Sequence, residues 1–217
     1  TKDTDYFIKL RKKIGSSEIE EIWNGDKEKN KIGTEYFGMG DLEVSYNDKL
    51  LGYSLDVKGS EYYTIYVRKI SDEKLVTEKI KETSGNILFS LNDEYIFYSK
   101  LDSNHRPRKI LQHKIGTSVN NDKIIFDEKD ERFTVSIDLT SDEKYFIISS
   151  NDHASSELYY FKSDQKIPDP KIIQKREDSV IYSVNSWGNY FYLHTNKDAE
   201  DFKICRCKNT ELFEWKD

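Results

Sequence analysis

The chain has 217 residues, of which 34% are charged and 13% aromatic, and its net charge is −6. That length allows one large domain with a buried core. The two signs of charge are interspersed with no basic, aromatic-interleaved stripe, which argues against nucleic acid as a partner. No apolar run approaches the ~20 residues needed to cross a bilayer as a helix, so no membrane partner is expected.

Taken in chain order, the sequence opens at Thr1 without a Met and without a leader-like segment. Residues 6–10 and 18–23 read as two strands, the last two of a β-sheet blade, with Arg11, Lys12 and Lys13 on a solvated face. Residues 24–41 are polar and carry four glycines, so they read as a connecting loop.

A repeating design follows. Residues 42–46 alternate as a strand, and Asn47-Asp48 makes a turn because both side chains tolerate left-handed backbone and bond their own amides. Residues 50–55 and 62–69 form the second and third strands, with Tyr63, Ile65 and Val67 on one face, and residues 75–79 the fourth. Further turns fall at Asn92-Asp93, Ser141-Asp142 and Trp187-Gly188, giving a period of about 45 residues. The second repeat covers 86–126 with central strand 95–99, the third 133–174 with 145–149, and the fourth runs from Val180 to about Phe213 with 190–194.

A period in this range built from short strands indicates β-propeller blades. The central strands are apolar on both faces, as expected when neighbouring blades cover each side. The expected fold is therefore all-β, a partial β-propeller of about four four-stranded blades plus half a blade, its ring not closed. Its segments would be 1–41 (half blade and connector), 42–85, 86–132, 133–179 and 180–217. The two end blades would expose faces and edges that neighbours should cover, so self-association through them is expected.

The chemistry-bearing residues are sparse. A hydrolase nucleophile elbow needs GxSxG, because glycines relieve the tight strand-to-helix bend around the serine. Gly15, Gly52 and Gly116 each precede a Ser by two residues, but Ile19, Asp56 and Asn120 stand where the second Gly belongs. No catalytic residue is therefore expected in this chain. Cys205 and Cys207 share one face of a strand and make no CxxC pair, so they read as reduced structural thiols in a cytoplasmic protein. His105, His113, His153 and His194 have no ligand-type spacing, and His113 and His194 read as structural imidazoles on strands. The acidic run 127–131 lacks the oxygen spacing of a calcium loop and reads as a solvated loop or an inter-blade ion pair. No phosphate cradle occurs, so neither metal nor cofactor is expected.

An ordered set of short stretches carries a resemblance. It runs through Glu35-Tyr36-Phe37, Glu43-Val44-Ser45, residues 50–56 and Arg106-Pro107. Ile110, His113, Ile115-Gly116-Thr117 and residues 127–133 come next. Ile148-Ser149-Ser150, Ser155-Ser156-Glu157, Tyr182-Ser183-Val184, Phe191-Tyr192, Thr195-Asn196 and Phe202 complete it. In this order the chain resembles the oligopeptidase B (protease II) branch of the prolyl oligopeptidase family of serine peptidases.

The resemblance implies a seven-bladed propeller capping a C-terminal α/β-hydrolase domain with a Ser-Asp-His triad, acting on short basic peptides by cleavage after Arg or Lys. It covers the middle of the propeller, leaving roughly two blades and the catalytic domain outside these residues. Glu35 matches the Glu of the family's Glu-Tyr-Phe stretch. That match implies a place at the cleft between the domains, contacting either a basic residue of the other domain or a cationic substrate. Thr34 departs from the pattern, since relatives commonly carry His there. The rival expectation is a stand-alone propeller serving as a protein-interaction scaffold or the remnant of a decayed peptidase.

Overall fold

The computed structural model describes residues 5–210 and 214–217. Two strands lead, β1 (Ile8–Lys12) and β2 (Ile19–Asn24), paired antiparallel as a separate sheet. Four groups of strands follow. Blade 1 holds β3 (Gly38–Val44), β4 (Leu50–Asp56), β5 (Tyr63–Lys69) and β6 (Ile80–Thr83). Blade 2 holds β7 (Leu88–Phe89), β8 (Tyr95–Leu101), β9 (Pro107–Lys114) and β10 (Lys123–Asp127). Blade 3 holds β11 (Thr134–Leu139), β12 (Tyr145–Asn151), β13 (Ser156–Lys162) and β14 (Lys171–Gln174). Blade 4 holds β15 (Tyr182–Trp187), β16 (Tyr190–Thr195) and β17 (Lys203–Lys208), extended by an antiparallel bridge between Arg206 and Lys216. Its expected end near Phe213 lies outside the described residues.

Within each blade the strands run antiparallel in sequence order. A single pair, Thr83 with Lys100, joins blades 1 and 2 into one hydrogen-bonded sheet of eight strands. Among the described residues, blade 4 and the leading two-stranded sheet share no strand pairing.

The core is divided into four apolar clusters, one at each junction. Ile22 and Trp23 of β2 pack on Leu51, Tyr53 and Leu55 of β4. Ile65 and Val67 of blade 1 meet Ile87, Phe89, Ile96 and Tyr98 of blade 2. Phe97 and Ile110 of blade 2 meet Val135, Ile137, Phe146 and Ile148 of blade 3. Tyr145, Ile147 and Leu158 of blade 3 meet Tyr182, Phe191 and Leu193 of blade 4. Alternate residues of one strand serve opposite junctions, because successive side chains leave a strand on opposite sides. In β8, Ile96 and Tyr98 face blade 1 while Phe97 faces blade 3. The doubly apolar central strands arise in this way, as stacked blades require.

Two elements differ from expectation. Residues 24–41 are not a simple loop: an α-helix, α1 (Gly25–Ile32), occupies the first half, and β3 begins at Gly38. Asn24 caps the helix by accepting the Lys27 N–H at 3.1 Å, and Gly33 closes it at φ +71°. The expected fourth strand of blade 1 at 75–79 is also displaced. Leu75 makes a lone bridge to Arg68, and the strand proper starts at Ile80.

Candidate functional site

Antiparallel alternation gives the blades two ends. At one end lie the turns between first and second strands. Asn47 accepts from the Ser45 hydroxyl (2.9 Å) and the Lys49 N–H (2.9 Å), and Asp48 has φ +59°. Ser90, Asn92 and Asp93 repeat the pattern, as do Thr140, Asp142 and Glu143. The left-handed residue of the third turn is therefore Glu143, one position later than the Ser141-Asp142 reading implies. Glu43, Asp93 and Glu143 come from three different blades, yet all act on the Tyr46 phenol. Partial desolvation pushes that phenol up although Tyr46 is 43% exposed, and these carboxylates push it further, to about 12. Partial desolvation by neighbouring strands also raises the Glu43 carboxyl, with Asp41 adding to it, and raises that of Asp138, though both side chains reach solvent. The first strands of blades 1 and 2 touch, so this acidic rim lies along the edges where the blades converge.

At the opposite end a second repeat appears in the loops between second and third strands. Asp56 accepts hydrogen bonds from the N–H groups of Lys58 (2.9 Å), Gly59 (3.1 Å) and Glu61 (2.7 Å). Asp102 does so from Asn104 (2.8 Å) and Arg106 (3.0 Å), and Asp152 from Ala154 (2.8 Å) and Ser155 (2.6 Å). Burial raises the Asp56 carboxyl, but the amide hydrogen bonds outweigh it and leave a net lowering. The Arg106 amide lowers Asp102 and the Ala154 amide lowers Asp152. These carboxylates shape their loops by accepting backbone N–H groups.

Between these loops of blades 1 and 2 opens a cleft of about 640 Å³, with Lys58, Ser60, Tyr62, Lys81 and Asp102 in its wall. The Tyr62 ring lies tilted by 44° against that of His105, centroids 3.9 Å apart, and its hydroxyl donates to the Asp102 carbonyl at 3.2 Å. Glu35 belongs to this end. It is exposed, on the loop between α1 and β3, outside the cleft wall, and no hydrogen bond or ion pair within the described residues engages it. Its neighbour Thr34 fixes the loop by donating to the carbonyls of Tyr36 (2.9 Å) and Val57 (3.0 Å). Glu35 is thus a carboxylate held out by a tied loop.

The acidic run contributes one inter-blade ion pair. Glu128 accepts from Arg176 at 2.6 Å and from the Ser150 hydroxyl at 2.5 Å, while Arg176 also bonds Glu157 at 3.0 Å and lies 3.9 Å above the Phe133 ring. Cys205 and Cys207 form no disulfide and are buried on one face of β17. His194 stacks on Phe202 at 4.8 Å, His153 lines a shallow surface depression, and no metal-type cluster occurs among the described residues.

His113, on β9, is a hydrogen-bonded structural imidazole, as the sequence implied. It is fully buried, with Nδ1 2.6 Å from Asp122 and Nε2 2.9 Å from the Thr77 hydroxyl. The order hydroxyl, imidazole, carboxylate is that of a hydrolase relay. Here, however, the Thr77 hydroxyl has the Glu78 carbonyl as an acceptor at 2.9 Å, and Tyr98 donates to the far oxygen of Asp122 at 2.8 Å. The array locks the 115–122 loop of blade 2 onto blade 1.

Comparison with known proteins agrees with this scaffold. A family model described as "Prolyl oligopeptidase, N-terminal beta-propeller domain" matches residues 14–217. Protease 2 of Moraxella lacunata is 26% identical over 180 residues, covering 82% of this chain and 26% of that protein. Dipeptidyl aminopeptidase BI of Pseudoxanthomonas mexicana is 28% identical over 190 residues, covering 85% of this chain and 26% of that protein. Among solved structures, oligopeptidase B of Trypanosoma brucei superposes with a TM-score of 0.84 at 25% identity, covering 94% of this chain and 29% of that one. Oligopeptidase B of Leishmania major gives 0.91 at 21% identity, over 98% and 31%. The chain spans less than a third of the length of each. With its stacked blades matched almost end to end, the chain belongs to the prolyl oligopeptidase family and is part of that family's N-terminal β-propeller.

Proposed function

We propose that these blades are the non-catalytic, substrate-gating part of a serine oligopeptidase that hydrolyses short peptides after Arg or Lys. The observation that carries this is the family match over residues 14–217 together with a sequence that has no GxSxG elbow. The triad then resides in a C-terminal α/β-hydrolase domain of the same natural chain, and the propeller excludes folded proteins while hinge motion admits flexible peptides. The acidic rim of Glu43, Asp138 and Glu143 supplies a field that draws cationic peptides. Glu35, held out by its tied loop, contacts a basic group of the hydrolase domain or of the substrate.

Dipeptidyl aminopeptidase BI is as similar to this chain as Protease 2 is, so release of N-terminal dipeptides is the second reading. The natural full-length protein is tested with chromogenic peptides of three kinds: blocked at the N-terminus with Arg before the scissile bond, blocked with Pro there, and unblocked dipeptides. Fastest turnover of the blocked Arg substrate supports the proposal. Preference for blocked Pro, or strict need for a free N-terminus, contradicts it.

A further inference from the structure

The turns between first and second strands meet where the blades converge, and two of the three junctions between full blades are clamped there. At the blade 1–2 junction the Asp93 carboxylate accepts the N–H groups of Tyr46 and Asn47, both at 2.8 Å. At the blade 3–4 junction Asn185 accepts the Ser141 N–H and donates to the Ser141 hydroxyl, both at 2.8 Å. Ser186 also donates to Asp142 there, and Lys144 donates to the Gly188 carbonyl at 2.7 Å.

Among the described residues, the blade 2–3 junction has no such clamp. Glu143 holds the place of Asp93 in the repeat, with the same left-handed backbone (φ +58°). Its carboxylate makes no hydrogen bond or ion pair there, and the N–H groups of Leu91 and Asn92, the counterparts of Tyr46 and Asn47, find no acceptor. Asp93 and Glu143 both act on the Tyr46 phenol, so two carboxylates of like charge flank this seam.

Blades 2 and 3 are held together away from that point. Phe97, Phe146 and Phe161 pack between the sheets, and Gln112 donates to the Lys166 carbonyl at 3.3 Å. At the opposite end Glu128, on the connector after β10, accepts from Ser150 at 2.5 Å and Arg176 at 2.6 Å. Blades 1 and 2, by contrast, also share the Thr83–Lys100 pairing and the Thr77–His113 bond. Blades 3 and 4 also share the Trp215–Gln174 and Asn209–Tyr145 bonds.

We propose that the arc is two rigid pairs of blades, 1–2 and 3–4, and that the seam between blades 2 and 3 parts at its turn end, pivoting on the Glu128–Arg176 staple. Local opening begins where the fewest bonds must break. Parting widens the acidic mouth for an incoming peptide, a role that rests on the gating reading above, and a cationic peptide relieves the repulsion between Asp93 and Glu143.

The test is pulsed-EPR distance measurement on the natural full-length protein. Spin-labelled amino acids are encoded in pairs at Lys69, Lys114, Lys162 and Lys208, the exposed last residues of the third strands. The Lys114–Lys162 distribution should be roughly twice as wide as those of Lys69–Lys114 and Lys162–Lys208, as a hinge confined to one junction requires. Glu143→Asp keeps the charge and the left-handed tolerance and shortens the side chain to that of Asp93. It should clamp Leu91 and Asn92, narrow the Lys114–Lys162 distribution, and lower the ratio of turnover of a long Arg-containing peptide to that of a short chromogenic one by about threefold. Equal widths at all three junctions, or a Glu143→Asp protein that changes neither width nor ratio, would overturn the proposal. A protein that cuts neither peptide refutes the peptidase reading alone, and the distances still decide the seam.

Discussion

The carboxylate of Asp93 accepts the backbone N–H of Tyr46, 47 residues earlier in the chain, at 2.8 Å, and its second oxygen takes the Asn47 N–H at the same distance. A turn residue of blade 2 thus clamps the turn of blade 1, while its own φ of +57° demands a residue at ease in left-handed backbone. Asp93→Asn keeps the backbone tolerance and one acceptor oxygen, so a loss of about 1 kcal/mol is expected. Asp93→Ala loses both oxygens and adds strain, for about 2–3 kcal/mol. Urea denaturation of the two variants checks the order, and equal losses would remove the clamp from the account.

Gly40 sits where any side chain would collide. An added Cβ falls 2.4 Å from the Ser54 hydroxyl, which donates to the Gly85 carbonyl at 2.7 Å and accepts from the Asp41 N–H at 2.9 Å. Gly40→Ala must push that hydroxyl aside, leaving a buried acceptor and donor unmatched at the blade 1–2 junction. A loss of about 2–4 kcal/mol is expected by denaturant titration. An unchanged midpoint would mean that β3 can move freely.

Acid should open the Arg176 staple. Burial raises the Glu128 and Glu157 carboxyls, but hydrogen bonds, from Ser150 and Arg176 at Glu128 and from Arg176 and Tyr159 at Glu157, leave both below the ordinary value. A carboxylate with a depressed folded-state pKa contributes stability above its unfolded pKa, about 4.3 for Glu, and loses it as pH falls through the folded value. The staple is therefore intact at neutral pH, and its contribution is lost as pH falls below the unfolded value and through the lowered folded ones. Arg176→Met strands Glu128 without its cation, so acid unfolding followed by tryptophan fluorescence should move to higher pH. A midpoint unchanged from wild type would assign the staple no role.

The open face of blade 4 is apolar. Trp187 is 66% exposed and Ile204 64%, with Ile181 and Phe202 beside them in partial exposure. The outward residues of β16 are Tyr190, Tyr192 and His194, while Phe191 and Leu193 face blade 3. A face of this kind needs cover, so the isolated 217-residue chain is expected to self-associate in light scattering. Trp187→Lys with Ile204→Lys should shift it toward monomer. A wild-type chain that stays monomeric at high concentration would refute this.

Much of the scaffold was legible because its signals are local. The turn residues Asn47-Asp48 and Asn92-Asp93 and the doubly apolar runs 95–99 and 145–149 each report their own conformation. Helix α1 was written in the sequence as Asn24, Asp26, Glu28, Lys29, Lys31 and Gly33, a full set of capping and dipole cues. It was hidden because it buries only Gly25 and Glu28, so no apolar period announces it. The repeat of Asp56, Asp102 and Asp152 was equally visible as spacing, but its meaning lies in backbone amides that only folding brings to the carboxylates. The Thr77–His113–Asp122 array spans two blades, and nothing in the chain order of those residues foretells their meeting. Glu35 was placed by resemblance, and the fold puts it in solvent on a loop tied down by Thr34.

On the proposed function, these blades scaffold a peptidase without performing its chemistry. Labelling of the purified 217-residue chain with a fluorophosphonate, read by intact mass, tests it most directly. No adduct is predicted, since the Thr77 hydroxyl is held beside a buried imidazole with no nucleophile elbow. A stoichiometric adduct on Thr77 or on any serine would contradict the account.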